Sequence, residues 1–297
     1  MLTSQDIHGV VAAIATPFKE NEDLDLDGLK TLTRYLLDGG VDGIMAVGGT
    51  GEFPHLSRDE KKAVIRTVAD EVKGAVPVIA GTAACTIREC SELMADARAA
   101  GADAAIMVPP YYFILDEEAL FLHFKSLAEK NILPVVVYNN PLYTGNPMSP
   151  ALLAGLMRLD NIIGIKQSSA DMGQLVEVLR LTETDASICT GIDSQFFPAL
   201  MAGAAGIYST AASVIPAQMK KIYALYRENK FDEARELHFQ VQELNRFLEY
   251  DPGYVSPAKE ALQILGLPAG PVRRPMPALT PQQKAGLTKA LVNLGVL

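Results

Sequence analysis

The feature that most constrains this chain is an alternation. Short apolar runs recur, each followed by a loop and then by a longer stretch whose apolar residues fall at helical spacing. The runs are Val10 to Ala15, Gly43 to Val47, Val76 to Ala80, Ala104 to Val108, Leu133 to Tyr138, a run through Ile162 to Ile165 that ends in Lys166, Ala186 to Thr190, and Gly206 to Ser209. Runs this short and this apolar read as buried strands of a parallel sheet, with the helical stretches as crossovers. The helices carry their own punctuation. Leu26, Leu29, Leu32 and Leu36 share a face and stop at Gly39-Gly40, and Ser57 with Glu60 forms a capping box for a helix to about Val72. Eight units in roughly 225 residues suit an α/β fold of the closed (β/α)8 TIM-barrel kind better than an open doubly wound sheet. No GxGxxG follows the first strand, which counts against a dinucleotide fold.

From about Pro216 the alternation gives way to helical patterns at 216–229, 231–248, 255–265 and 281–293, the last two joined through the Pro-rich connector Pro268 to Pro277. The first completes the eighth unit. Roughly 65 residues of helix make a marginal core alone. The expected organisation is therefore a barrel over 1–230 and a C-terminal helical extension over 231–297 packed on it. A net charge of -9 and a pI near 5.0 give no basic footprint for nucleic acid or an anionic membrane surface. With no leader and no apolar run of about 18 residues, a soluble cytoplasmic protein is expected. Cys85, Cys90 and Cys189 form neither a CxxC pair nor an even set, and His8, His55, His123 and His238 are scattered, so no metal site is expected.

In such a barrel the site lies at the C-terminal ends of the strands. Thr16, the loop Gly48 to Glu52, Tyr111, Tyr112, Tyr138, Lys166, Gly191 to Asp193 and Tyr208-Ser209 collect there. Lys166 closes an apolar strand, where desolvation favours the neutral amine, the form that adds to a carbonyl to make a Schiff base. A solvated edge lysine fits the same pattern. Tyr138 ends the neighbouring strand, about 4.8 Å away, within reach of the lysine or its adduct as a proton donor and acceptor; a ring that merely packs at the barrel mouth is the alternative. Glycines around Thr50 allow backbone N–H groups and the hydroxyl to close on a carboxylate, or else make a plain tight turn. Cys189 reads as a buried apolar residue rather than a nucleophile.

Four motifs carry a family resemblance: Gly48-Gly49-Thr50-Gly51-Glu52, Leu56-Ser57-x-x-Glu60, Tyr138-Asn139-Asn140-Pro141 and Gly164-Ile165-Lys166. Their order and spacing resemble the dihydrodipicolinate synthase / N-acetylneuraminate lyase family from about residue 7 to 230, and the helical tail also fits. The resemblance implies a class I aldolase, usually a homotetramer built as a dimer of dimers, with no metal or organic cofactor. It implies that Lys166 condenses with pyruvate or another small 2-keto acid and that Tyr138 shuttles the proton. Thr50 and its loop, Gly49 included, would hold the carboxylate, and Tyr112 would reach across a dimer contact.

The departures bear on substrate. The family loop has a hydroxyl residue where this chain has Gly49; in the synthase branch that hydroxyl links the catalytic tyrosine to the intersubunit tyrosine, a link this chain lacks unless a water replaces it. Synthases also carry an arginine where Tyr143 stands, and losing that carboxylate partner removes roughly 1.5–3 kcal/mol. Lys166-Gln167-Ser168-Ser169-Ala170-Asp171 is similar to the sialic acid lyase branch. After strand seven, however, Gly191 leads to Asp193-Ser194, with one carboxylate of that branch's Asp-Glu pair missing, and Tyr208 replaces a glycine and should shorten the pocket. The favoured activity is therefore an aldolase or dehydratase of 2-keto-3-deoxy sugar acids. The alternatives are 4-hydroxy-tetrahydrodipicolinate synthase, a pyrroline-carboxylate deaminase and, from another class, a non-catalytic paralogue that binds a keto acid.

Overall fold

A computed structural model describes residues 2–182, 186–249 and 253–297. The apolar runs form β1 (Gly9–Ala13), β2 (Gly43–Ala46), β3 (Val78–Gly81), β4 (Ala104–Met107), β5 (Val135–Asn139), β6 (Ile162–Gln167), β7 (Ser187–Thr190) and β8 (Gly206–Ser209). Each strand pairs in parallel with the next, and β8 closes on β1 through Gly9↔Gly206 to Ala12↔Ser209. Both faces of the strands are buried because both meet apolar neighbours. Val11, Met45, Ile79, Ile106 and Val136 fill the barrel, while Val10, Ile44, Val135 and Val137 face the surrounding helices.

One irregularity positions the chemistry. Along β5 and β6 the pairing jumps from Val135↔Ile162 to Val136↔Gly164, leaving Ile163 as an extra residue. Ile163 belongs to the barrel interior and Ile165 to the outer core. Strict alternation from Ile163 would send Ile165 inward and Lys166 outward; the bulge shifts the phase by one, and Lys166 enters the barrel.

The helix Ile87–Ala99 and β8 have the bounds expected from sequence, and Ser57 and Glu60 form the expected capping box at the head of Arg58–Val72. The short helices Pro150–Leu156 and Ala211–Val214 were not expected. The first had a legible signal, since Ser149 caps it through the Leu152 N–H and Pro150 holds its first turn. C-terminal helices follow the barrel as expected, at Phe231–Glu249, Val255–Ile264 and Pro281–Asn293. The first packs on Pro216–Arg227 and Phe196–Met201, the second on Ala211–Val214.

These helices clamp the loop after β2. Glu52 is buried with a left-handed φ of 59°, a conformation that needs outside support in a non-glycine residue. Lys259 Nζ lies 2.7 Å from Glu52 Oε1 and donates to the Pro271 carbonyl at 2.7 Å, while the Arg273 N–H donates to Glu52 Oε2 at 3.0 Å. Burial pulls Lys259 down to about 8, against the opposing pull of Glu52. Arg273 also grips Glu60 through both guanidinium arms. Removing one member of a buried ion pair strands the other charge, at a cost of about 3–5 kcal/mol. Lys259→Met is accordingly expected to lower the melting temperature by roughly 10 °C. Lys259→Met/Glu52→Gln should lose less than the single variant in the same scan.

Candidate active site

The bulge and the register meet at the barrel mouth, where Tyr138 and Lys166 are direct partners across the β5–β6 ladder. Lys166 is 5% exposed, and its Nζ lies 4.1 Å from the Tyr138 ring centroid and 5.7 Å from that of Tyr208. Among the described residues no carboxylate lies within ion-pair distance of Nζ. Gly191 leaves room for this side chain: a β-carbon there would stand 2.6 Å from Lys166 Cε and 3.1 Å from its Cγ, and would strike Ser168 Oγ. The Tyr138 hydroxyl accepts from Asn140 Nδ2 at 2.9 Å, which fixes one lone pair and leaves the phenolic proton to be given elsewhere.

Lys166 opens into a cavity of about 460 Å³ whose walls include Gly49, Thr50, Tyr138, Tyr143, Gly191 and Asp193. The sequence placed all of these at the site. The hydroxyls of Thr50 and Thr210 lie 3.0 Å apart, and Thr16 Oγ1 pins the loop by donating to the Gly51 carbonyl at 2.8 Å. Among the described residues, the backbone N–H groups of Gly49, Thr50 and Gly51 donate to no backbone acceptor outside strand or helix ladders. Successive unpaired N–H groups beside a hydroxyl make a concavity suited to an anion.

Two expected site residues fall elsewhere. Tyr208 is 1% exposed, packed in the barrel interior, and does not line the cavity, although its ring centroid is 5.7 Å from Lys166 Nζ. Burial holds its phenol well above the usual tyrosine range. Tyr112 is 86% exposed with a left-handed φ of 82° and does not line the cavity of its own chain. Its ring meets Phe113 edge-to-face at 5.2 Å. Cys189 is buried in the barrel, and desolvation pushes its thiol up to about 12, as suits an apolar filler. Among the described residues no cluster of three His, Cys, Asp or Glu is placed to hold a metal ion, and no helix is long and apolar enough to cross a membrane.

Beside the expected Asp193 the cavity holds two residues that the sequence did not disclose, Glu249 and Tyr254. Asp193 accepts from Ser209 Oγ and from the N–H groups of Thr210 (3.2 Å) and Ala211 (3.0 Å), so both its oxygens are engaged by the protein. Its pKa is raised, with burial outweighing those bonds. The second carboxylate comes from Glu249, at the end of the helix Phe231–Glu249, whose Oε1 accepts from the Ser194 N–H at 2.6 Å. Burial, then the neighbouring Asp193, raises Glu249 to about 7. Tyr254, from the segment leading into Val255–Ile264, completes the wall, its ring edge-to-face with Tyr143 at 5.9 Å. Neither residue shares a motif with the barrel strands, and no periodicity could have assigned them.

A buried amine against a tyrosine ring at the mouth of a (β/α)8 barrel, beside a loop of unpaired backbone N–H groups, defines a Schiff-base-forming lyase of the class I aldolase kind. The comparisons with known proteins agree. The model of the dihydrodipicolinate synthetase family matches residues 6–294, and this chain belongs to that family. It is similar to a 4-hydroxy-tetrahydrodipicolinate synthase of Methanoculleus marisnigri, 38% identical over 97% of this chain and 99% of the relative. Among solved structures it resembles dihydrodipicolinate synthase from Thermotoga maritima (32% identity, TM-score 0.93, 98% and 99% of the two chains). It also resembles YagE, a prophage protein of the family from E. coli K12 solved in complex with pyruvate (30% identity, TM-score 0.94, 98% and 99%). The names of the curated relatives agree with the synthase alternative rather than with the favoured sugar-acid activity.

The Glu249 carboxyl gives a pH test of this geometry. A carboxyl raised from 4.5 to about 7 holds its proton in the fold where the unfolded chain has released it. Stability from this group is therefore full below about pH 4.5 and falls as pH rises through 7. Glu249→Gln removes that loss, so urea denaturation should find the variant more favoured, relative to wild type, at pH 8 than at pH 4.5, by on the order of 1–3 kcal/mol. An equal difference at both values would mean that this carboxyl is solvated.

Proposed function

We propose that the enzyme binds pyruvate or another 2-keto acid as a Schiff base on Lys166 and makes or breaks the C3–C4 bond, or expels water from C4. The observation that carries this reading is the buried Lys166 amine against the Tyr138 ring, with no carboxylate partner among the described residues. The amine adds to the C2 carbonyl, Tyr138 gives its proton to the carbinolamine hydroxyl, and water leaves. For cleavage, the Tyr138 phenolate takes the C4 hydroxyl proton and the C3–C4 electrons flow into the protonated imine, giving an enamine and an aldehyde. For dehydration, loss of the C3 proton gives the enamine, whose electrons expel the C4 hydroxyl, protonated as it leaves as water, and restore a protonated, now conjugated imine. The C1 carboxylate sits on the N–H groups and hydroxyl of residues 49–51. Tyr138→Phe should lower kcat by about 10²–10⁴-fold in steady-state assays while the variant still folds.

For the rest of the substrate, the cavity charge favours a hydroxylated tail. Among the described residues its carboxyl groups are those of Asp193 and Glu249, and no arginine lines it. The second oxygen of Glu249 offers an acceptor to a hydroxyl, whereas a second carboxylate finds no cation among the described wall residues beyond Lys166. This supports the 2-keto-3-deoxy sugar acid reading. A second reading, 4-hydroxy-tetrahydrodipicolinate synthase, is supported by relatives of that name at 35–38% identity over nearly the whole chain. The exposed Tyr112, Phe113, Ile114 and Leu142 also support self-association, toward the homotetramer that the resemblance implies.

The deciding assay is a side-by-side one. Pyruvate release or dehydration is measured with a panel of 2-keto-3-deoxy acids, and condensation is measured with pyruvate and aspartate semialdehyde. A kcat/KM at least about tenfold higher for a sugar acid, equivalent to ~1.4 kcal/mol, supports the first reading. The reverse ranking establishes the synthase.

A further inference from the structure

Gly49 and Tyr254 belong together. A β-carbon on residue 49 would collide with the Tyr254 hydroxyl and stand 3.3 Å from its Cζ. The tyrosine hydroxyl thus occupies the place where a side chain at 49 would begin, and it does so from the C-terminal region of the chain. Tyr254 also stands where two cavities adjoin. The catalytic cavity and a second one of about 380 Å³ share Gly49, Tyr138, Asn140, Tyr143 and Tyr254 as walls. The neighbours that act electrostatically on the Tyr254 phenol are Tyr138 and Tyr143, and burial before either holds it above the ordinary tyrosine range. It is therefore a protonated phenol at neutral pH, able to donate one hydrogen bond and accept another, the pair of bonds through which a proton is handed on.

We infer that Tyr254 supplies, from the C-terminal helical region, the hydroxyl beside Tyr138 that residue 49 lacks, and that Gly49 is the residue that admits it. Tyr254 is then a positioning residue: it acts on the substrate through Tyr138, orienting the phenol and returning the proton that Tyr138 passes to or takes from the Lys166 adduct. Asn140 binds the Tyr138 oxygen as a donor, and as an amide it has no exchangeable acid function at neutral pH. The phenol at 254 fills that function from the side that Gly49 leaves open. This inference rests on the proposed roles of Lys166 and Tyr138.

The test needs no knowledge of the second substrate, because pyruvate alone suffices. In deuterium oxide an imine on Lys166 loses a C3 proton to give the enamine and takes back a deuteron, so proton NMR of the methyl group reads proton transfer directly. The fraction of protein trapped with pyruvate and borohydride reads imine formation separately. Tyr254→Phe keeps the ring on Tyr143 and removes only the hydroxyl. It is expected to slow exchange about 10–100-fold and to shift its pH profile, with the trapped fraction at equilibrium unchanged. Gly49→Ser alone should also slow exchange, because its β-carbon displaces Tyr254. Gly49→Ser in the Tyr254→Phe background should recover at least part of the rate by restoring a hydroxyl in the vacated space. Exchange and a pH profile equal to wild type in Tyr254→Phe would overturn the inference while leaving the Schiff base intact. Absence of trapping in the wild-type protein would instead remove the underlying reading, and this one with it. Slow exchange in all three variants, with no recovery in the double, would assign Tyr254 a packing role only and overturn the relay.

Discussion

The phase of one strand governs this molecule. Lys166 points into the barrel because β6 carries an extra residue against β5, and everything that makes the lysine interesting follows from that direction. Facing outward it would meet the apolar layer between sheet and helices, where an amine has neither a ligand nor room. Facing inward it lies on the Tyr138 ring, in a slot that Gly191 keeps open. The parallel register then sets Tyr138 opposite it without help from any loop. The bulge costs one ladder position and sets a buried lysine at the cavity rather than in the apolar layer.

The barrel supplies the amine and the phenol, and the C-terminal helices supply much of the rest. Lys259 and Arg273 hold the strained loop at Glu52, which carries the N–H groups of residues 49–51. Glu249 restores a second carboxyl beside Asp193, and Tyr254 closes the wall over Gly49. Two features that read as losses in the sequence, the missing hydroxyl at 49 and the missing acid after Asp193, are thus met from a distant part of the chain.

Much of the architecture was legible because its causes are local. Alternating apolar runs, the Ser57–Glu60 capping box and the stop at Gly39-Gly40 each act within a few residues, and the strands and helices appear where these signals put them. Lys166, Tyr138, Thr50, Gly191 and Asp193 were placed at one cavity for the same reason, since strand ends converge in a closed barrel. Tyr208 went one layer too deep because a strand residue's depth depends on the tilt and stagger of the barrel, which period-two alternation does not encode. Glu249 and Tyr254 were invisible because long-range packing alone brings them to the site. The bulge was equally hidden: Ile162-Ile163-Gly164-Ile165 reads as an unbroken apolar run, and only the pairing with β5 reveals the extra residue.

The central claim is that Lys166, turned inward by that bulge, is the residue that bonds to the keto acid. Sodium borohydride reduction in the presence of pyruvate, followed by intact and peptide mass spectrometry, tests it directly. The expected result is one stable adduct per chain, mapped to Lys166 and absent from Lys166→Ala. An adduct mapped to Lys259 or any other lysine, or no adduct with pyruvate and longer 2-keto acids, would contradict it.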